Sequence, residues 1–187
     1  MTISAAHLWK SYHGAAVLQD LSFTVGTGLT RITGRSGAGK TTLLRILLGL
    51  EAPDSGTISG ADCRWAAVFQ EDRLLEHLNA ADNLRFVLGP AYDAVRAEAL
   101  LCELGLVGVG EKAVRDYSGG MKRRLSLARA LLAPADALAL VEPFTGLDAE
   151  NRAAALRCIL RAAEKKPVLL AAHESLSLPD GGSVISL

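Results

Sequence analysis

Neither sign of charge is in excess in this chain: 20 lysines and arginines stand against 20 aspartates and glutamates, a formal net charge of zero. No broad electrostatic footprint for DNA, RNA or an anionic lipid surface follows, and nucleic acid is not expected as the main ligand. Cysteine is also scarce. Cys63, Cys102 and Cys158 are odd in number and lack metal-type spacing, so they read as free packing thiols of a reducing compartment, not as a disulfide framework or zinc site. No uninterrupted apolar run is long enough to cross a bilayer. The opening residues, Met1-Thr2-Ile3-Ser4-Ala5-Ala6-His7, carry no basic region followed by an apolar core, and no signal peptide is expected. Repeats, low-complexity tracts, long linkers and sustained heptads are missing too. The expectation is a cytoplasmic protein whose membrane association comes through a partner.

The 187 residues, half of them apolar and 21% charged, suffice for one α/β domain with a sizeable core. The first third reads as β-rich. Thr2–Trp9 and Val17–Val25 are strand candidates separated by a turn near His13-Gly14, and Thr57–Ser59 and Trp65–Phe69 follow. Helical patterns cover Ala91–Leu104, which ends near Gly105, and Gly120–Leu132, which ends before Pro134. Ala137–Val141 and Val168–Ala172 are all-apolar strand candidates around an amphipathic helix at Ala149–Glu164, and Val184–Leu187 is a candidate edge strand. Apolar strands separated by helices predict a parallel sheet covered on both faces.

Gly34-Arg35-Ser36-Gly37-Ala38-Gly39-Lys40-Thr41 matches G-x-x-x-x-G-K-[ST] without a gap. It follows a short alternating strand, Leu29–Thr33, and precedes an apolar helix, Thr42–Leu50, which is the context a phosphate loop requires. Glycines at 34, 37 and 39 let backbone N–H groups close around phosphate oxygens, and the helix N-terminus adds partial positive charge. Lys40 can reach the β- and γ-phosphates, and the Thr41 hydroxyl can ligate Mg²⁺. Further motifs come in a fixed order: Gln70 after Val68-Phe69; Tyr117-Ser118-Gly119-Gly120-Met121 opening a helix; Glu142-Pro143 after an apolar strand; Gly146-Leu147-Asp148; and His173 past the next strand. Ser118 can cap its helix, and the two glycines after it leave N–H groups open to an anion.

In that order of motifs the chain resembles the ATP-binding cassette (ABC) ATPases over nearly its whole length. The resemblance implies an α/β fold: a RecA-like phosphate-loop core with an antiparallel β-subdomain and an α-helical insert. The single domain 1–187 would divide into 1–69 (β-subdomain and Walker A core), 70–132 (Q-loop, helical insert and signature motif) and 133–187 (Walker B to switch histidine). ATP contacts are then expected from Tyr12 on the adenine and from Gly34, Ser36, Gly37, Gly39, Lys40, Thr41 and Thr42 on the phosphates. Mg²⁺ would be held by Thr41 and Gln70. Two cassettes would pack head to tail, so that Ser118, Gly119, Gly120 and Asp148 serve the partner's nucleotide. Glu142 would polarise the attacking water, His173 would position the γ-phosphate, and Gln70 would link the site to a transmembrane permease. Catalysis would be mostly positioning and charge stabilisation.

One position departs from the family pattern. The Walker B strand usually ends Asp-Glu-Pro; here it ends Val141-Glu142-Pro143. Asp136 is the nearest upstream acid, roughly 16 Å away along an extended strand at about 3.3 Å per residue, too far to replace the missing carboxylate. Losing such an outer-shell metal partner typically costs about 10–100-fold in metal affinity or activity, so the expectation is ATP binding with slow hydrolysis. Tyr117 and Met121 also replace the Leu and Gln that usually flank Ser-Gly-Gly. Gln70-Glu71-Asp72-Arg73-Leu74-Leu75 with Asn79-Ala80-Ala81-Asp82-Asn83-Leu84 is similar to importers of the nitrate, sulfonate and taurine group. The expected role is the ATPase subunit of an importer, bound peripherally to the cytoplasmic face of the membrane. A cassette that switches on ATP with little hydrolysis is the alternative, and a soluble ABC protein lacks support because coiled coils and a second phosphate loop are missing.

Overall fold

The computed structural model describes residues 1–172 and 182–187. Two sheets organise them. Strands β1 (Ile3–Tyr12), β2 (Ala15–Val25) and β4 (Ser55–Ser59) form an antiparallel sheet in the order β2-β1-β4. The hairpin between β1 and β2 closes at His13 and Gly14, whose φ values of 50° and 81° are both positive, as a two-residue turn between right-twisted strands demands. The second sheet is parallel throughout. Its order is β5 (Trp65–Val68), β6 (Ala137–Val141), β7 (Pro167–Ala171), β3 (Gly28–Thr33) and β8 (Ser183–Ser186). The short C-terminal strand lies on the edge beside β3, as the sequence predicts.

Strands β6 and β7 are buried along their whole length, which is why they read as unbroken apolar runs. Alternation sends the two faces to different cores. Ala137, Ala139 and Val141 join Leu43, Leu44, Ile46 and Leu47 of helix α1 (Lys40–Leu47) and the inner face of the antiparallel sheet. Leu138 and Leu140 join the core under helices α4 (Gly119–Leu132) and α5 (Ala149–Ala163), with Leu125, Leu127 and Ile159. Alanines on the first face let α1 approach closely. The phosphate-loop helix is thereby seated against the ends of β6 and β7.

The helical segment differs from the sequence reading at its start. Helix α2 (Ala80–Leu88) has no counterpart in that reading, and α3 (Ala94–Glu103) begins later than the helix predicted from Ala91. Asn79 caps α2, its side chain accepting from Asp82 N–H at 2.8 Å, and Asp93 caps α3 through Arg96 N–H at 3.1 Å. Between them Gly89–Ala91 makes a single tight turn around Pro90, whose missing N–H prevents one continuous helix. Asn83 is buried and its amide ties down the preceding loop, accepting from Leu75 N–H at 2.8 Å and donating to Leu75 and Asn79 carbonyls at 3.0 and 2.9 Å. That fixes the chain a few residues beyond Gln70. Asp136, at the opposite end of β6 from Glu142, is taken up by a two-pronged ion pair with Arg64 at 3.0 and 3.1 Å. Among the described residues no helix is long and apolar enough to cross a membrane.

Candidate functional site

Helix α1 lacks what its neighbours have. Side chains of Asn79, Asp93, Ser118 and Asp148 cap α2, α3, α4 and α5, whereas α1 starts after Gly39 with no side-chain cap and no acid in its first turn. Its first N–H groups are left open, and a helix N-terminus in that state attracts anions. Gly39 makes this possible. It has φ +98°, and a Cβ there would come within 2.7 Å of Val17 Cγ1 and 3.0 Å of Leu18 Cδ2, so strand β2 lies directly against the loop.

A cavity of about 400 Å³ opens over this helix end, lined by Tyr12, Val17, Ser36, Gly37, Gly39, Lys40, Thr41, Thr42, Gln70, Val141, Glu142 and Ala171. Nine sequence-predicted site residues, Tyr12, Ser36, Gly37, Gly39, Lys40, Thr41, Thr42, Gln70 and Glu142, are therefore brought together on one wall system. Gly34 stands just behind it. The Lys40 ammonium donates to the carbonyls of Gly34 and of Arg35, the latter at 3.1 Å, and so staples the loop from within. Tyr12 ends β1 with its ring half-exposed on the cavity and its hydroxyl donating to Glu51. That hydrogen bond, reinforced by Lys10 and Arg45 beside it, holds the Glu51 carboxyl below its ordinary range. Size alone does not select this cavity, because one of about 420 Å³ lies among α3, α4 and α5, lined by Arg96, Glu103, Arg161 and Lys165. The uncapped N-terminus of α1 and the glycine loop around Lys40 do select it, since the other cavity also has lysines and a carboxylate.

Glu142 follows β6 directly and takes φ +48°, a left-handed conformation that costs a non-glycine residue about 1–3 kcal/mol and gathers at functional sites. It is held there because its N–H donates to Ala171 O at 2.7 Å, extending the β6–β7 ladder by one residue. Its neighbour Val141 is 5% exposed, packed with the α1 core on one side and touching the cavity on the other. An apolar side chain thus occupies the place where the motif pattern expects a carboxylate. Thr41 and Gln70 still supply oxygen donors to the same cavity, a donor set that fits Mg²⁺, which takes few protein ligands when phosphates and water complete its shell. Among the described residues no group of three or more His, Cys, Asp or Glu side chains forms a metal site of its own.

Ser118, Gly119, Gly120 and Asp148 do not line this cavity. They form a second cluster at the N-terminus of α4. Ser118 Oγ accepts from Met121 N–H at 3.2 Å, and Asp148 caps α5 by accepting from Asn151 N–H at 2.8 Å. Gly120 packs so tightly on the Gly146 turn that a Cβ would sit 2.8 Å from Gly146 O. Arg124 locks the cluster from below, donating to Leu104 O, Gly105 O and Asn151 Oδ1 at 2.8, 2.9 and 2.6 Å. Burial lowers the pKa of that guanidinium, and Asp148 opposes the effect. His173 lies outside the described residues.

Arg123 and Arg124 carry roles that the sequence reading left unassigned. Both are buried, and both spend their donors on main-chain carbonyls far away in sequence. Lys122, Arg123 and Arg124 in succession are the signal that could have marked them, since three consecutive helical positions span roughly 200° of the helix and do not share one narrow solvated face.

Comparison with known proteins gives a family and several relatives. The family model described as ABC transporter matches residues 18–145. The chain is 40% identical over 180 residues to the aliphatic sulfonates import ATP-binding protein SsuB 1 of Rhodococcus jostii, covering 90% of this chain and 73% of that protein. It is 41% identical over 150 residues to the taurine import ATP-binding protein TauB of Pseudomonas aeruginosa, covering 73% and 57% of the two chains. Among solved structures, an ABC transporter ATP-binding protein from Pyrococcus furiosus superposes with a TM-score of 0.86 at 22% identity, over 99% of this chain and 98% of that one, a likeness of fold.

Proposed function

This chain belongs to the ABC transporter family as an ATP-binding ATPase subunit, and on that premise we propose that it powers an importer of small sulfonates by hydrolysing ATP between two head-to-tail cassettes. The uncapped N-terminus of α1, set beside Lys40, Thr41, Gln70 and Glu142 in one cavity, is the observation that carries the nucleotide site. The substrate class rests on the sulfonate and taurine import proteins that the chain resembles. The cassette would sit on the cytoplasmic face of the membrane, docked to permease subunits through the groove lined by Leu50, Phe69, Gln70, Glu71 and Arg73. Segments 1–69, 70–132 and 133–187 would act as the β-subdomain with Walker A core, the helical insert, and the Walker B half.

The placement of the described residues supports the following chemistry. The open N–H groups of α1 and the Lys40 ammonium receive the phosphates, while the Tyr12 ring faces the base. Glu142 accepts a proton from the attacking water as that water bonds to the γ-phosphorus and the bond to the bridging oxygen breaks, releasing ADP. His173, on the family resemblance alone, would hold the γ-phosphate. Thr41 and Gln70 would hold Mg²⁺, which would supply positive charge to offset that of the phosphates. The partner's Ser118 hydroxyl and the N–H groups of its Gly119 and Gly120 would complete the donor set, since those residues do not line the cavity of their own chain. Val141 slows turnover without preventing binding. That last feature also favours a second reading, an ATP-driven switch that closes with little hydrolysis.

Replacing Ser118 with arginine tests the head-to-tail arrangement. ATP binding to the isolated chain is expected to stay within about twofold, since Ser118 is not in the cavity, while ATP-dependent dimerisation disappears on size exclusion. Intact dimerisation in this variant would contradict the shared-site reading.

A further inference from the structure

Helix α4 runs from the Ser118 cluster past the segment that carries Gln70, and it grips that segment with three side chains spaced three residues apart. Arg123 Nη1 and Nη2 donate to the carbonyls of Phe69 and Gln70. Ser126 Oγ donates to Asp72 O at 3.3 Å, and Arg129 donates to Arg73 O and Asp72 O at 2.7 and 2.9 Å. Arg123 is 6% exposed, and its Nη1 also lies 3.2 Å from Asp72 Oδ1, a buried oxygen with no hydrogen-bond partner of its own. Burial raises the Asp72 pKa against the pull of Arg123, Lys122 and Arg129.

We propose that Arg123 is a positioning residue for Gln70: its guanidinium fixes the two carbonyls that flank the Gln70 amide nitrogen and α-carbon, and so sets how the Gln70 side chain enters the nucleotide cavity. The two lower rungs at Ser126 and Arg129 already anchor residues 72 and 73, so the fold of the loop does not depend on Arg123 alone. What Arg123 adds is confined to residues 69 and 70. It also stands five residues along α4 from Ser118, so a displacement of the helix at its capped end carries the main chain of Gln70 with it. The placement of Gln70 matters more in this chain than a complete acid pair would require. With Val141 at the end of β6, no carboxylate from that position supports the Mg²⁺ that Thr41 and Gln70 would hold in the cavity.

This inference rests on the ATP-binding reading. Its test is a double-mutant cycle read by equilibrium binding, without turnover. A fluorescent ATP analogue is titrated in EDTA and then against Mg²⁺, with the natural chain, Arg123→Gln, Gln70→Ala and the double variant. Arg123→Gln is expected to raise the Mg²⁺ concentration for half-effect by about 10-fold, the lower bound typical of an outer-shell partner, while binding in EDTA stays within about twofold. In the Gln70→Ala background the same substitution is expected to add less than about twofold. Arg123→Lys, which keeps the charge and one carbonyl bond, should fall between the natural chain and Arg123→Gln, and covers the case in which Arg123→Gln fails to fold. Effects that multiply fully in the double variant, or an equal loss of affinity in EDTA, would overturn the positioning role. If the natural chain binds no analogue under either condition, the nucleotide reading itself fails and this inference with it.

Discussion

Glu142→Gln is expected to lower ATP turnover by about 100-fold or more while ATP binding stays within about threefold. The two parts of that result have separate causes. Glutamine keeps the size and hydrogen-bonding shape of the side chain but cannot take the proton from the attacking water, and general-base catalysis of this kind contributes about 10²–10⁴-fold. Binding depends on the other wall of the cavity, on Lys40, Thr41 and the open end of α1, which the substitution leaves alone. The hydrogen bond from the residue 142 N–H to Ala171 O, which holds the backbone there, is left in place by the substitution. An ATP-bound dimer should therefore accumulate, visible by size exclusion with ATP and absent with ADP. Phosphate release at the natural rate would place the base elsewhere.

Lys40→Ala is expected to weaken ATP binding by about 10–100-fold, the equivalent of the 1.5–3 kcal/mol that a hydrogen bond to a charged group contributes. The ammonium now donates to the carbonyls of Gly34 and Arg35. Incoming phosphate oxygens compete for those donors with full negative charge, so the exchange favours ATP. Alanine removes the charge and the internal staple together. The free protein should then melt at a lower temperature as well, and calorimetry separates that loss from the loss of affinity. Lys40→Arg is not expected to restore binding, because a planar fork cannot occupy the place of a compact ammonium inside the loop. Unchanged affinity in Lys40→Ala would mean that the cavity over α1 is not the phosphate site.

Contiguous motifs in this molecule were readable because their chemistry is local. Gly34 to Thr41 folds into its loop through its own glycines, and Ser118 and Asp148 cap the helices that they directly precede. The all-apolar strands Ala137–Val141 and Val168–Ala172 were readable because burial on both faces leaves no alternation to confuse the pattern. Helix α2 escaped notice because its nine residues are short and its end runs into Gly89-Pro90, which blurs one helix into the next. Long-range hydrogen bonds left no spacing to find. Arg123 reaches carbonyls more than fifty residues upstream, and Tyr12 meets Glu51 across a strand crossing that no local pattern announces. Val17 lines the nucleotide cavity for the same reason, through the contact of β2 with Gly39. Val141 was legible as a departure from a pattern; the structure adds that it belongs to the α1 core, so the replacement suits the packing while it removes a carboxylate from the cavity.

Mg²⁺-dependent ATP hydrolysis by the natural chain and by Val141→Asp, measured side by side at high protein concentration with Glu142→Gln as background, tests the central claim most directly. The carboxylate should raise turnover by about 10–100-fold, and the introduced charge at a buried position should lower the melting temperature of the nucleotide-free protein. A natural chain well above background whose turnover changes less than about threefold in Val141→Asp would contradict the account, and would make this cassette an unthrottled motor despite its missing acid.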